Sequence, residues 1–270
     1  MTAVFSQFVG TIPSFYDSGL GPVLFEDFAD DLVRRCAALD PQAVLELAAG
    51  TGIVSRRLAE AIAPRARLVV TDLNAPMLGI ARQKLADRPE IEFAEVDAQA
   101  LPYADATFDL VVCQFGVMFF PDRRAAYREA ARVLRPGGQY LFSTWGPWSV
   151  NPFAAGVQGV VEAHFPADPP GFYKVPFSCG DPDAVLRDLE AAGWRGTEYQ
   201  TLRQTRVVAD PAGFATALVH GNPLIAEIRQ RGHVDPEVVV ADVLAALVGR
   251  FGTAPMEIPL QTMVFTCRKP

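Results

Sequence analysis

The chain has 270 residues, with 24 Lys and Arg against 31 Asp and Glu, a net charge of −7 at pH 7, and half of its residues apolar. An acidic balance without a basic block lacks the cation-to-phosphate footprint of nucleic-acid binding, and this apolar content is too high for disorder, so a well-packed domain with no nucleic-acid partner is expected. The longest apolar stretches, Leu110 to Phe120 and Val238 to Val248, fall short of the ~18 residues of a bilayer span, and no Lys or Arg precedes Arg34. No membrane partner and a cytoplasmic location are therefore expected. Cys36, Cys113, Cys179 and Cys267 lie far apart, with no CxxC pair and no histidine at ligand spacing, which predicts reduced, mostly buried thiols and no metal site.

In chain order, a helix is predicted from Pro22 to Ala38, where Phe25, Phe28, Leu32, Val33 and Cys36 recur at three- to four-residue spacing. Asp40-Pro41 ends it. Ala43 to Leu47 reads as a strand, Gly52 to Ala63 as a helix, Arg67 to Thr71 as a strand and Ala75 to Ala86 as a helix that Arg88-Pro89 breaks. Strands follow at Ile91 to Glu95 and Phe108 to Cys113. A helix from Asp122 to Leu134 is stopped by Arg135-Pro136-Gly137-Gly138 before a strand from Gln139 to Thr144. This alternation predicts a doubly wound, Rossmann-like α/β sheet with right-handed crossovers. Trp145 to Gly180, rich in Pro, Gly and Phe, reads as an ordered loop or short-helix cap. Helical segments are predicted at Asp183 to Ala192, Ala212 to Leu218 and Pro236 to Val248, and strands at Thr197 to Val208 and Met256 to Arg268, the last two pairing antiparallel.

The most informative segment is Val44-Leu45-Glu46-Leu47-Ala48-Ala49-Gly50-Thr51-Gly52-Ile53-Val54-Ser55. A buried strand runs into a turn of small residues that opens a helix, so backbone amides can approach a ligand. As a dinucleotide fingerprint it is poor, because Ser55 stands where the third glycine belongs. Roughly twenty residues beyond Gly52, Asp72 ends the second strand, where a carboxylate accepts from both hydroxyls of a ribose. Asp72 alone would equally cap the next helix.

Glu46-x-Ala48-x-Gly50-x-Gly52, Asp72, Met77-Leu78, Asp97-Ala98, Leu101-Pro102-Tyr103, Phe108-Asp109 and Arg132-Val133-Leu134-Arg135-Pro136-Gly137-Gly138 stand in an order and spacing that resembles the class I S-adenosylmethionine-dependent methyltransferases of the UbiE/BioC-like small-molecule group. The resemblance spans residues 44 to 144. It implies a seven-stranded, mostly parallel sheet with an antiparallel last strand and a helical or loop cap. It implies S-adenosyl-L-methionine as cofactor: Gly50 and the Ala48 to Gly52 loop at its methionine part, with Glu46 organising the loop or meeting the amino group. By the same resemblance Asp72 holds the ribose, Leu73 and Met77 flank the adenine, and Asp97 and the Ala98 amide meet the adenine edge. Gln114 and Phe115 stand beside the sulfonium, and Tyr16 belongs to an N-terminal lid. One residue departs from the pattern, since Ala48 replaces a glycine.

The resemblance also implies a division of one domain, 1–270: residues 1–40 form the lid and first helix, 41–145 the cofactor core, 146–180 and 210–252 the substrate cap, and 181–209 and 253–270 the rest of the core. Methyl transfer from a sulfonium is a displacement that positioning dominates, so an evident base is not required. His220, before a glycine turn in the cap, is the best candidate base and His164 the second; ordinary structural roles compete for both. Phe115, Met118, Phe119, Trp145, Trp148 and Phe172 are the expected acceptor wall, which favours a small apolar or aromatic molecule methylated on O, N or C. A homodimer is the expected assembly. Two other readings stay open: a non-catalytic S-adenosylmethionine-binding regulator and an NAD-dependent oxidoreductase, the second disfavoured by Ser55.

Overall fold

The structure, a computed structural model, describes residues 7–253 and 255–270. Its centre is a seven-stranded sheet built from β1 (Ala43–Glu46), β2 (Arg67–Asp72), β3 (Glu92–Glu95), β4 (Phe108–Gln114), β5 (Leu134–Trp145), β6 (Glu198–Val208) and β7 (Met256–Arg268), in the order β3-β2-β1-β4-β5-β7-β6. The first five strands run parallel, and β7 lies antiparallel between β5 and β6. Leu110, Val111, Val112 and Cys113 of β4 are wholly buried, as expected of a central strand covered on both faces.

The helices before the cap are α1 (Ile12–Phe15), α2 (Glu26–Ala37), α3 (Ile53–Ala61), α4 (Ala75–Lys84) and α5 (Arg123–Val133). In α2 the buried set is Phe28, Ala29, Leu32, Val33 and Cys36, one face of a 3.6-residue period. The cap is formed by α6 (Pro152–His164), a single turn at Phe172–Lys174, α8 (Pro211–His220), α9 (Leu224–Arg231) and α10 (Pro236–Phe251), while α7 (Pro182–Ala191) packs on α5. Helices α7, α8 and α10 each begin Asp-Pro. The carboxylates of Asp181, Asp210 and Asp235 accept from Asp183, Gly213 and Glu237 backbone N–H groups, and the proline that follows needs no partner for an amide it lacks.

Several of the family-like motif residues turn out to hold the scaffold. Asp109 Oδ2 accepts from the Gln42 and Ala43 amides, both at 2.9 Å, and its Oδ1 from Arg135 at 2.6 Å, joining β1, β4 and β5. Arg132 donates to the Leu101 and Tyr103 carbonyls and to Glu129, which fixes the loop before β4.

The structure corrects the expected elements at four places. The helix expected from Pro22 is preceded by α1 and a π-type helical stretch, Tyr16–Phe25, which carries Pro22 inside it. The segment after Trp145 contains a full helix, α6, whose Phe153, Ala154, Val157 and Val161 are buried, while Gly156 and Gly159 sit on an open face where they cost only propensity. Helix α9 was not anticipated. Strand β5 also begins earlier, at Leu134, with a register shift against β4 that accommodates the Pro-Gly-Gly run. Residues 1–6 of the expected lid, and residue 254 of the expected last core segment, lie outside the described residues. Among the described residues no helix is long and apolar enough to cross a membrane.

Candidate active site

In an open parallel sheet the carboxyl ends of adjacent strands whose crossovers run to opposite sides leave a crevice. Here that point is between β1 and β4, and a cavity of about 380 Å³ lies there. Its wall draws on the loops after β1, β2, β3, β4 and β5, on the N-terminal segment and on the cap.

The loop after β1 takes a conformation that a side chain resists. Ala48 has φ 51°, Gly50 φ 58° and Gly52 φ 80°, all in the left-handed region. Ala48 and Gly50 face the cavity, whereas Gly52 packs against α4: a Cβ there would lie 2.8 Å from Ala81 Cβ. The expected ligand role of Gly52 is thus replaced by helix packing. The Gly50 amide donates to Asp72 Oδ2 at 2.8 Å, so the carboxylate at the end of β2 holds the loop. Asp72 Oδ1 accepts from the Asn74 amide at 2.7 Å, which anchors the start of α4. A carboxylate has about four acceptor positions, and with the Asn74 side-chain amide donating a third bond at 3.2 Å, one is left for a ligand hydroxyl. Burial holds the Asp72 pKa above the usual carboxylate range, opposed by those backbone donors.

Leu73 and Met77 flank the same side of the cavity; Leu73 is 52% exposed and Met77 is buried. Asp97 and Ala98 follow β3 and also line the cavity. Asp97 Oδ1 accepts from the Gln99 amide at 2.8 Å, and Gln99 Oε1 accepts from the Asp122 amide at 2.7 Å, tying this corner to α5.

Behind the wall, Glu46 is 2% exposed and does not line the cavity. Its Oε2 has no hydrogen-bond partner among the described residues. Removal from water, reinforced by the Asp72 carboxylate and only partly countered by Ser55, pushes its pKa from 4.5 up to about 8.

The N-terminal segment closes the top. The Phe8 amide donates to Asn74 Oδ1 at 3.1 Å, Asp17 pairs with Lys84 on α4, and Tyr16 stacks on Phe25 with centroids 4.9 Å apart. Tyr16 lines the cavity, and burial, with Asp72 and Asp17 nearby, raises its phenol pKa. A π-type stretch at such a position is a common mark of a functional site. Phe115 has φ 53°, an outlier for an aromatic residue, and stacks on Trp145 at 4.4 Å and 11°. Gln114 donates through Nε2 to the Phe25 carbonyl at 3.1 Å, leaving Oε1 buried without a partner.

Thirteen expected residues thus meet in one cavity: Tyr16, Ala48, Gly50, Asp72, Leu73, Met77, Asp97, Ala98, Gln114, Phe115, Phe119, Trp145 and Phe172. Met118 lines a neighbouring cleft with Arg123 and Lys174 instead, and Trp148 packs edge-on against Phe177 outside the wall. Neither histidine lines the cavity. His220 Nε2 lies 3.0 Å from Glu237 Oε1 and its ring packs on Phe15; His164 Nε2 lies 2.7 Å from Asp242 Oδ2 at the α6–α10 contact. The candidate base pair is corrected accordingly: both imidazoles join cap elements. Sequence reasoning missed Phe8, Asn74, Gln99, Leu218 and Asn222 as wall residues. His220 shares its segment with Leu218 and Asn222, which line the cavity.

Residues 44–138 match a family model described as a methyltransferase domain. The chain is 41% identical over 101 residues to the ubiquinone/menaquinone biosynthesis C-methyltransferase UbiE of Hahella chejuensis, covering 36% of this chain and 41% of that protein. It is 42% identical over 127 residues to the demethylmenaquinone methyltransferase of Thermus thermophilus, covering 44% of this chain and 57% of that one. The chain therefore spans about half the length of the curated relatives it matches. The fold resembles Haemonchus contortus phosphoethanolamine N-methyltransferase 2 in complex with S-adenosyl-L-methionine, with a TM-score of 0.60, 13% identity, and coverage of 100% of this chain and 57% of that one. It also resembles the [4+2]-cyclase SpnF, with a TM-score of 0.58, 20% identity, and coverage of 96% and 93%.

Proposed function

We propose that the chain, whose residues 44–138 match a methyltransferase-domain model, binds S-adenosyl-L-methionine in this cavity and methylates a small apolar or aromatic acceptor. The observation that carries the reading is the pair of carboxylates, Asp72 and Asp97, at the ends of β2 and β3, beside the left-handed Ala48–Gly50 turn of an otherwise apolar cavity. The residues present fit that cofactor. The charged side chains of the wall are both acidic, which suits a cationic sulfonium, and Gln114 keeps a buried acceptor oxygen unpaired.

When bound, S-adenosylmethionine supplies a methyl group that already carries its activation on a sulfonium. In this reading Asp72 accepts from the ribose, Asp97 and the Ala98 amide meet the adenine edge, and Leu73 and Met77 flank its faces. Gly50 and Ala48 let the backbone approach the methionine part, and Glu46 supports their loop from behind. Tyr16 and Phe8 exclude water from above. Phe115, Trp145, Phe119 and Phe172 orient the acceptor on O, N or C for in-line displacement. Orientation and exclusion of water supply roughly 7–11 kcal/mol of such a barrier, more than the 10²–10⁴-fold of a typical base, so a histidine-free wall suits the chemistry. We assign residues 41–145 to cofactor binding and 146–180 with 210–252 to the acceptor cap, with the protein acting in the cytoplasm as a homodimer.

Titration calorimetry with S-adenosylmethionine, S-adenosylhomocysteine and NAD tests the assignment. Micromolar-range binding of the first two alone is expected; binding of NAD alone would overturn it. Screening cell extracts with cofactor labelled in the methyl group then separates an enzyme from a silent binding protein.

A further inference from the structure

The acceptor end of the cavity carries one polar feature that the motifs do not account for. Tyr173, in the single turn at Phe172–Lys174, and Asn222, between α8 and α9, both line the wall while being only 4% and 3% exposed. Tyr173 Oη donates to the Leu218 carbonyl at 2.7 Å. Asn222 Nδ2 donates to the same carbonyl at 2.9 Å and to Tyr173 Oη at 3.4 Å, and its Oδ1 accepts from the Leu224 amide at 3.0 Å.

A phenol has one donor and two acceptor positions, and a primary amide two donors and a carbonyl oxygen. Here the phenolic hydrogen goes to the Leu218 carbonyl, one amide hydrogen of Asn222 lies toward that carbonyl and Tyr173 Oη together, and the amide oxygen accepts from Leu224. What remains on Tyr173 is acceptor capacity, on an oxygen held in place by its neighbours in a largely aromatic wall. An oxygen fixed in this way reads a donor and gives nothing to an acceptor-only group. The electrostatics add a second filter. Among the described residues the cavity wall carries no Lys, Arg or His and only Asp72 and Asp97 as charged groups, so a carboxylate or phosphate on the acceptor would be buried without a counter-charge from these residues.

We propose that Tyr173, positioned by Asn222, is the specificity-determining residue of the acceptor site, and that the acceptor is an uncharged ring compound bearing a hydroxyl or N–H donor. This inference rests on the cavity being a methyl-transfer site, and its test separates the two. Tyr173→Phe removes the lone pair but keeps the ring, and the Leu218 carbonyl retains its bond from Asn222, so the fold is expected to survive; a melting curve confirms it. S-adenosylhomocysteine is titrated first, which reads the cofactor assignment alone. The 270-residue chain, with and without S-adenosylhomocysteine, is then titrated with 2-naphthol, 2-methoxynaphthalene and 2-naphthoate. The expected result is binding of 2-naphthol about 3- to 10-fold tighter than its methyl ether, the range one hydrogen bond supplies, with 2-naphthoate weakest. In Tyr173→Phe the preference for 2-naphthol disappears while affinities for the ether and for S-adenosylhomocysteine hold. Equal binding of the naphthoate, a preference that survives in Tyr173→Phe, or no binding of any naphthyl probe would overturn the proposal, whatever the cofactor titration shows.

Discussion

The methyl group of Ala48 occupies the space that Gly116 leaves open: a Cβ on Gly116 would lie 2.5 Å from Ala48 Cβ and 2.6 Å from Cys113 Sγ. Ala48 stands where the resemblance expects glycine, and its left-handed φ costs roughly 1–2 kcal/mol. The bare α-carbon across from it is what lets the extra methyl fit without pushing the loop into the cavity. Gly116→Ala is therefore expected to destabilise the chain by about 1–3 kcal/mol, the usual cost of overpacking. Adding Ala48→Gly should recover only part of this, because Cys113 still obstructs. A double-mutant cycle in urea reads the coupling; strict additivity would mean the two residues do not share that space.

Asp72 ties the glycine turn to α4 and is the proposed ribose ligand. Asp72→Ala is expected to weaken S-adenosylmethionine binding by roughly 1.5–3 kcal/mol, one charge-assisted bond, with the circular dichroism spectrum retained. An unchanged calorimetric affinity would remove Asp72 from the site.

Glu46 gives the chain a pH signature. The unfolded carboxyl loses its proton near 4.5, whereas the folded one keeps it until about 8. Between these values the native state holds the extra proton, so this group's contribution to stability is complete below about 4.5 and is lost as pH rises through about 8. Glu46→Gln, which cannot ionise, is expected to show a flatter profile, and its melting temperature relative to the parent should rise steadily from pH 5 to pH 8. A difference that stays constant across that window would show that Glu46 is already ionised in the native chain.

His220 and His164 each bond to a carboxylate within the cap, and neither lines the cavity. Replacing either with Gln is expected to leave turnover within about 2-fold and stability within about 1 kcal/mol, the range of partly exposed pairs. A hundredfold loss of turnover with cofactor affinity intact would return a histidine to the chemistry.

The contrast between the two halves of the chain has a physical origin. Strands β1, β2 and β3 are short runs bounded by turn residues, and the functional positions sit directly after or at their ends, so Gly50, Asp72 and Asp97 could be placed by counting from a strand. The cap offers no such ruler. Leu218 and His220 are two residues apart, nearly opposite on a helix, and composition alone gives no phase to a short helix that is apolar on most sides: Phe214, Ala215, Ala217, Leu218 and Val219 are all buried. Choosing the most reactive residue type there selected the face turned toward Glu237. Helix α6 was hidden by its glycines, which weigh against helix wherever packing is ignored, and the π-type stretch has no periodic pattern that distinguishes it from α-helix.

The placement of β7 between β5 and β6 has a kinetic consequence. Among the described residues strand β6 has no neighbour in the sheet except β7, which is synthesised only after the whole of α8, α9 and α10. Until then β5 presents an open edge, β6 is an unpaired strand, and the residues between β6 and β7, Leu218 and Asn222 among them, hang from one unanchored end. The parallel half draws on nearer pairings and can form on the ribosome earlier. The cofactor corner is then the first part of the cavity to mature and the acceptor wall the last, completed when β7 slides into the gap and closes both edges at once.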